Sequence, residues 1–190
     1  MPEDIPALVV FGIVDAAVLA IAAVGFTLQF GVTNYFNFGY GEWLTFGAFI
    51  AMVLNGEPLR LNIWVAMVFA GLATVCGLDA ARLSDVTWLM TGFMAGVAGV
   101  ILAMQVHTFG TDVGNNFTYL IFPAVIIGGI GRAYGAMVGA LIIGLLTALG
   151  VLVIPAALTP TLIFGAIVLM VLFRPQGLLG GIGHARMQEG

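Results

Sequence analysis

Asn34, Asn37, Tyr40 and Glu42 bring hydrogen-bonding and acid chemistry into nine residues of an otherwise apolar region. They belong to the stretch Val32-Thr-Asn-Tyr-Phe-Asn-Phe-Gly-Tyr-Gly-Glu42, which joins two apolar segments with no charged loop between them. Polar groups in hydrocarbon cost several kcal/mol each unless they are paired or line a wet cavity. Glu42 is the strongest of the four, because an acid at membrane depth marks a pathway or gate more often than a scaffold. Its competing role is local, as a partner at the membrane edge or at the start of a half-helix. Asn34 and Asn37 have two readings. They can bond backbone exposed at a helix break, or they can touch a solute.

Other chemistry is scarce. Asp15 sits in the first apolar segment, where it can pair with a hydroxyl or water if it faces a bundle. His107 and His184 stand alone in polar stretches and form no metal set. The single cysteine, Cys76, excludes an internal disulfide and a cysteine-based metal cluster. No Ser-His or Ser-Lys pair, no His-Glu-x-x-His motif and no paired intramembrane aspartates are present, so an enzyme is not expected. No cofactor or metal is expected either.

What must position the polar stretch is set by composition. Hydrophobic residues make up 62% of the 190 residues and charged ones 7%, and the mean hydropathy is +1.16. Soluble domains carry about 25% charged residues. The expectation is an all-α integral membrane protein, a polytopic bundle of six to seven transmembrane segments embedded in a lipid bilayer. A net charge of -4 with no lysine argues against nucleic-acid binding. The acidic start Met-Pro-Glu-Asp, followed by a long apolar run, does not read as a signal peptide.

Seven apolar segments can be read, near 5–31, 36–54, 62–78, 86–104, 118–130, 134–154 and 160–173. A spanning helix needs about 20 mainly apolar residues. Broken or short helices are therefore expected near 34–42 and 118–131, of the kind that flank a pathway. Pro155 and Pro160 bracket the turn between the last two segments. Arg82, Arg132, Arg174 and Arg186 fall on one side by alternation, which the positive-inside rule makes cytoplasmic. Residues 174–190 then form a cytoplasmic tail, the N-terminus lies outside, and the outer loop is 105–117. Arg60, beside Glu57, is the exception to the charge pattern.

Small residues recur at helical spacing. Gly131, Gly135 and Gly139 form one stripe, with Ala136, Ala140 and Gly144 beside it, and Gly92 and Gly96 repeat the spacing in the fourth segment. Helices in lipid gain little hydrophobic energy against each other, so close contact through small residues holds them together. These glycines are read as helix-packing positions, within the chain or across a dimer.

Four stretches carry a family resemblance. Asn37-Phe-Gly-Tyr-Gly-Glu42 followed by Gly47-Ala48 resembles the Asn-Phe-Ala-His-Gly-acid signature of branched-chain amino acid ABC importer permeases. Gly77-Leu-Asp-Ala-Ala-Arg82, running into Thr91 to Gly99, is similar to the family's cytoplasmic loop and following helix. Gly128-Gly-Ile-Gly131 with Gly135-Ala136 resembles its glycine-rich turn, and Phe173-Arg-Pro-Gln-Gly-Leu-Leu-Gly180 its C-terminal signature. The chain is shorter than the family's members, with the shortfall between the third segment and Gly77. Tyr40 stands where the family usually has histidine.

The resemblance implies a single permease domain over 1–190 in the cell (inner or plasma) membrane. It implies a second permease subunit, identical or different, cytoplasmic ATPase subunits, and a periplasmic or extracellular solute-binding protein. The substrate pathway would include Asn34, Asn37, Tyr40 and Glu42. A short helix carrying Asp79, Arg82 and Asp85 would dock on the ATPase, against the alternative of a solvated loop with local i,i+3 pairing. No phosphate-binding motif occurs here, so ATP would be hydrolysed on a partner. Two alternatives stay open. One is a truncated, non-transporting membrane subunit. The other is a self-sufficient channel for small solutes such as urea or amides.

Overall fold

The structure is a computed structural model, and it describes residues 5–34, 36–56, 59–75, 82–106 and 113–179. Among them are seven α-helices and no strand. They are α1 (Ile5–Thr33), α2 (Tyr40–Asn55), α3 (Ile63–Val75), α4 (Arg82–Val106), α5 (Val113–Gly128), α6 (Ala133–Gly150) and α7 (Thr159–Phe173). The chain is an all-α polytopic membrane protein. Three stretches, Ile5–Thr33, Thr87–Gln105 and Ala133–Gly150, are long and apolar enough to cross a bilayer. Large apolar side chains such as Phe11, Trp64, Leu172 and Phe173 stand exposed, a surface that lipid solvates and water does not.

The short helices have sequence causes. α2 and α5 have 16 residues each, so each is about 24 Å long against a hydrocarbon core of about 30 Å. α2 begins only at Tyr40, because residues 36–39 are held out of the helix by turns described below. α5 carries Pro123 inside it and ends at Gly128, where Gly129 and Gly131 take φ of 107° and 83°. Only glycine adopts such angles at low cost. Pro155 opens a 3-10 turn over Ala156–Leu158, whose Leu158 N–H donates to the Pro155 carbonyl at 2.8 Å, and Pro160 lies in the first turn of α7.

Two boundaries differ from expectation. α5 begins at Val113, inside the expected outer loop 105–117, and α4 runs on to Val106. Of the expected short docking helix 79–85, Arg82 and Asp85 stand in the first turn of the 25-residue α4. Asp79, His107 and His184 lie outside the described residues.

The chain divides into two compact units, Met1–Thr27 with Leu120–Gly190, and Leu28–Tyr119. In the second unit α2, α3 and α4 pack on one another. Their core is Ala51, Ala66, Ala70 and Val100, flanked by Ile50, Leu54, Ile63 and Met67. Small residues let the backbones meet. A methyl group on Gly47 would fall 2.5 Å from the Cα of Gly96, and one on Gly99 would collide with the Leu44 carbonyl. The first unit uses the same device. Gly139 abuts the Ala124 carbonyl, Gly144 lies against Ala16, and the Phe26 and Phe122 rings meet edge to face at 5.1 Å.

Candidate functional site

The break between α1 and α2 is built by its asparagines. Asn34 takes a left-handed φ of 54°, which asparagine tolerates better than most residues, and its N–H donates to the Phe30 carbonyl at 2.8 Å. The Phe30 and Phe36 rings, 4.7 Å apart, close over this stop. Asn37 Oδ1 accepts from the Gly39 N–H at 3.0 Å, and the Asn37 carbonyl accepts from the Tyr40 N–H at 3.2 Å. That side-chain turn launches α2. Both asparagines thus hold backbone in this conformation.

Tyr40 and Glu42 part ways. Tyr40 is fully buried, its ring 6.3 Å from that of Trp43, which in turn lies 5.4 Å from Trp88 of α4. Glu42 is exposed, on the α2 face that also shows Phe46, Phe49 and Val53. Its Oε1 accepts from Asn115 Nδ2 of α5 at 2.8 Å. This neutral amide is its one polar partner among the described residues.

The pairing of Glu42 with a residue 73 positions away rests on a close approach of the first turns of α2 and α5. Gly41 and Gly114 are buried against each other, and a side chain on either would strike the other's carbonyl. Thr45 Oγ1 accepts from the Gly114 N–H at 3.0 Å and donates to the Gly41 carbonyl at 3.1 Å. Thr118 Oγ1 donates to the Gly114 carbonyl at 2.8 Å. Sequence reading missed Asn115, Thr45 and Thr118. The signal was Gly114-Asn-Asn-Phe-Thr118, a second glycine-led polar run at the start of a short apolar segment.

The depth of this cluster follows from α4. Gly96 is the centre of the span Thr87–Gln105 and packs on Gly47, while Gly99 packs on Leu44. At 1.5 Å rise per residue, Glu42 lies about 10 Å or less along the helix axis from the level of Gly96, the middle of that apolar span. A second buried polar group lies in α1. The Gln29 side-chain amide is fully buried and has no hydrogen-bond partner among the described residues, though the Gln29 carbonyl accepts from Thr33 Oγ1 at 2.9 Å.

The remaining predicted residues serve the scaffold. Gly96 and Gly92 are buried in α4. Gly135 abuts Gly128, and Gly139 abuts Ala124. Gly131 is placed differently: it is exposed in the turn before α6, with open space about its α-carbon, and its role there is the positive φ. That turn is met by residues 174–179. The Leu178 N–H donates to the Ile127 carbonyl at 2.8 Å, and the Leu179 N–H donates to that of Gly128 at 3.3 Å. Arg132 Nη1 donates to the Leu179 carbonyl. The start of the expected tail is therefore folded onto the end of α5. For Arg82 and Asp85 only the backbone placement in α4 is described.

Comparison with known proteins agrees with this architecture. The family model described as branched-chain amino acid transport system, permease component, matches residues 8–78 and 71–173. The chain belongs to this family. The high-affinity branched-chain amino acid transport system permease protein BraD of Pseudomonas aeruginosa is 32% identical over 109 residues, covering 57% of this chain and 36% of that protein. The corresponding LivH of Escherichia coli K12 is 31% identical over 109 residues, covering 57% and 35%. A probable LivH of Methanocaldococcus jannaschii is 26% identical over 136 residues, covering 68% and 43%. The chain spans about a third of the length of the bacterial relatives it matches. No solved structure matches. The two segments of the family match meet at 71–78, where the sequence places its shortfall.

Proposed function

We propose that the chain is a transmembrane permease subunit of an ABC importer that moves branched-chain or related amino acids into the cell, and that Glu42 lies on the solute path. The observation that carries this reading is the placement of Glu42. It is an exposed carboxylate within the depth of the hydrocarbon, and its one partner is a neutral amide. Facing lipid there is expensive, so that turn of α2 adjoins water or a hydrated protein surface. Asn34 and Asn37 serve the path by holding the break open, and Tyr40 by packing beneath it.

Power would come from a separate ATPase, docked on the cytoplasmic side around Asp79, Arg82 and Asp85. Arg132 and Arg174 support that orientation, since both bond to residues 178–179 at one end of their unit. A second permease subunit and a solute-binding protein complete the assembly. The test is reconstitution of the chain with an ATPase and a binding protein encoded beside it, followed by uptake of labelled leucine into vesicles. ATP-dependent uptake supports the importer. Assembly without uptake makes the chain a non-transporting subunit, and uptake by the chain alone, without ATP, makes it a channel.

A further inference from the structure

We propose that Arg132 and Arg174 bind the phosphate of an anionic phospholipid, whose acyl chains lie on Tyr134, Leu172 and Phe173. The proposal is independent of the importer reading. Both arginines belong to the same compact unit, one directly before α6 and the other directly after α7. Their side chains converge on neighbouring carbonyls. Arg132 Nη1 donates to that of Leu179, and Arg174 Nη1 to that of Leu178 at 3.3 Å. Adjacent α-carbons lie about 3.8 Å apart, so the two guanidinium groups are drawn to one spot. A carbonyl neutralises neither. Each guanidinium keeps its charge and most of its five N–H donors. Among the described residues neither arginine meets a carboxylate, and the acid described in this unit, Asp15, stands within the span of α1. Two cations so placed attract an anion, and a phosphate accepts from a guanidinium through two parallel bonds.

Depth and surroundings say which anion. The apolar span Ala133–Gly150 starts one residue after Arg132, so that arginine stands where hydrocarbon gives way to headgroups. A long arginine side chain reaches from there to the phosphate level. The neighbouring surface is apolar: Tyr134 is 81% exposed, Phe173 77% and Leu172 74%. Tyrosine at such an edge is the usual anchor of a membrane interface. A free phosphate would leave these side chains uncovered, whereas a phospholipid matches both the cations and the apolar surface. No closed pocket is required, because the bilayer itself surrounds the acyl chains and the charge of the headgroup selects. A zwitterionic headgroup brings its own cation beside the phosphate and is disfavoured. An acidic patch on a partner protein would match the arginines, but not apolar side chains at the edge of the hydrocarbon.

The experiment follows the unfolding midpoint of the purified chain in detergent as dioleoylphosphatidylglycerol, dioleoylphosphatidylcholine or sodium phosphate is added at fixed ionic strength. A saturable rise is expected with phosphatidylglycerol, little with phosphatidylcholine and none with sodium phosphate at the same concentration. Arg174→Gln can still donate to the Leu178 carbonyl but lacks the charge. It should raise the half-saturating concentration of phosphatidylglycerol about tenfold or more, the loss of a charged contact. Arg174→Lys should retain part of the response. Arg60→Gln, in the other compact unit, should leave it unchanged. Equal rises with the two lipids, a rise with sodium phosphate as large as with phosphatidylglycerol, or an unchanged half-saturating concentration in Arg174→Gln would each overturn the site. A loss in Arg60→Gln equal to that in Arg174→Gln would also overturn it, by reducing the effect to bulk surface charge. Should Arg174→Gln not fold, an unchanged half-saturating concentration in Arg132→Gln overturns it instead. No lipid response, with recovery of an ATPase subunit lost in Arg174→Gln, would make this face a protein contact and end the lipid assignment.

Discussion

Two breaks interrupt the helices of this permease-family chain, and they differ in what they leave exposed. At 129–132 the main chain closes the gap. Gly129 and Gly131 take positive φ, and residues 178–179 lay their N–H groups on the carbonyls of Ile127 and Gly128. Gly177, itself at φ 77°, fits so tightly that a side chain would fall 2.5 Å from the Cα of Gly129. At 34 and 36–39 the Asn37 side chain joins main-chain bonds in closing the gap, and one carboxylate is left exposed. The first break is a scaffold joint: its glycines, residues 178–179 and the Arg132 side chain are bonded to one another's main chain. On the importer reading, a break that leaves the Glu42 carboxylate exposed beside Asn115 has a role outside its own stability.

That contrast can be broken by substitution. The largest stability loss should come from Gly139→Leu, which drives a side chain into the Ala124 carbonyl. Overpacking of this kind costs about 1–3 kcal/mol or more, read as a fall in the unfolding midpoint in detergent beside an exposed control such as Leu141→Ala. Gly177→Ala should follow, losing about 1–2 kcal/mol from the left-handed backbone and more from contact with Gly129. Gly131→Ala sharpens it: the φ penalty is the same, but the space is open, so its loss should be the smaller of the two. Asn37→Ala, which removes the bond to the Gly39 N–H, should cost about 0.5–1.5 kcal/mol. Glu42→Gln should leave the midpoint nearly unchanged, since the amide can still accept from Asn115. A large destabilisation by Glu42→Gln would make the second break a scaffold joint like the first.

The helices were legible because lipid imposes one rule: long apolar runs, interrupted where polar residues gather. The break at 34–39 was visible in its asparagines and glycines. The start of α2 at Tyr40 was not, because it depends on Asn37 bonding to Gly39 rather than on hydropathy. Residues 113–117 looked like loop for a similar reason. The first turn of α5 is held by Gly41 and Thr45 of α2, which meet the Gly114 backbone. Asn115 could not be paired with Glu42 from spacing, as no local period links positions 73 apart. The spacing of Gly131 suggested a packing stripe, whereas the turn it serves is set by φ, which periodicity does not report. Residues 174–179 read as tail, and their partners are main-chain carbonyls that carry no sequence signature.

The account stands most directly on the charge of Glu42. ATP-driven uptake of leucine should be measured for the parent chain and for Glu42→Gln in the same reconstituted assembly, with recovery of the partner subunits quantified in parallel. The expected result is uptake reduced at least about tenfold with assembly and unfolding midpoint unchanged, the effect of removing one charged contact worth about 1.4 kcal/mol or more. Uptake equal to the parent chain, at equal assembly, would contradict it and reduce Glu42 to a local partner of Asn115.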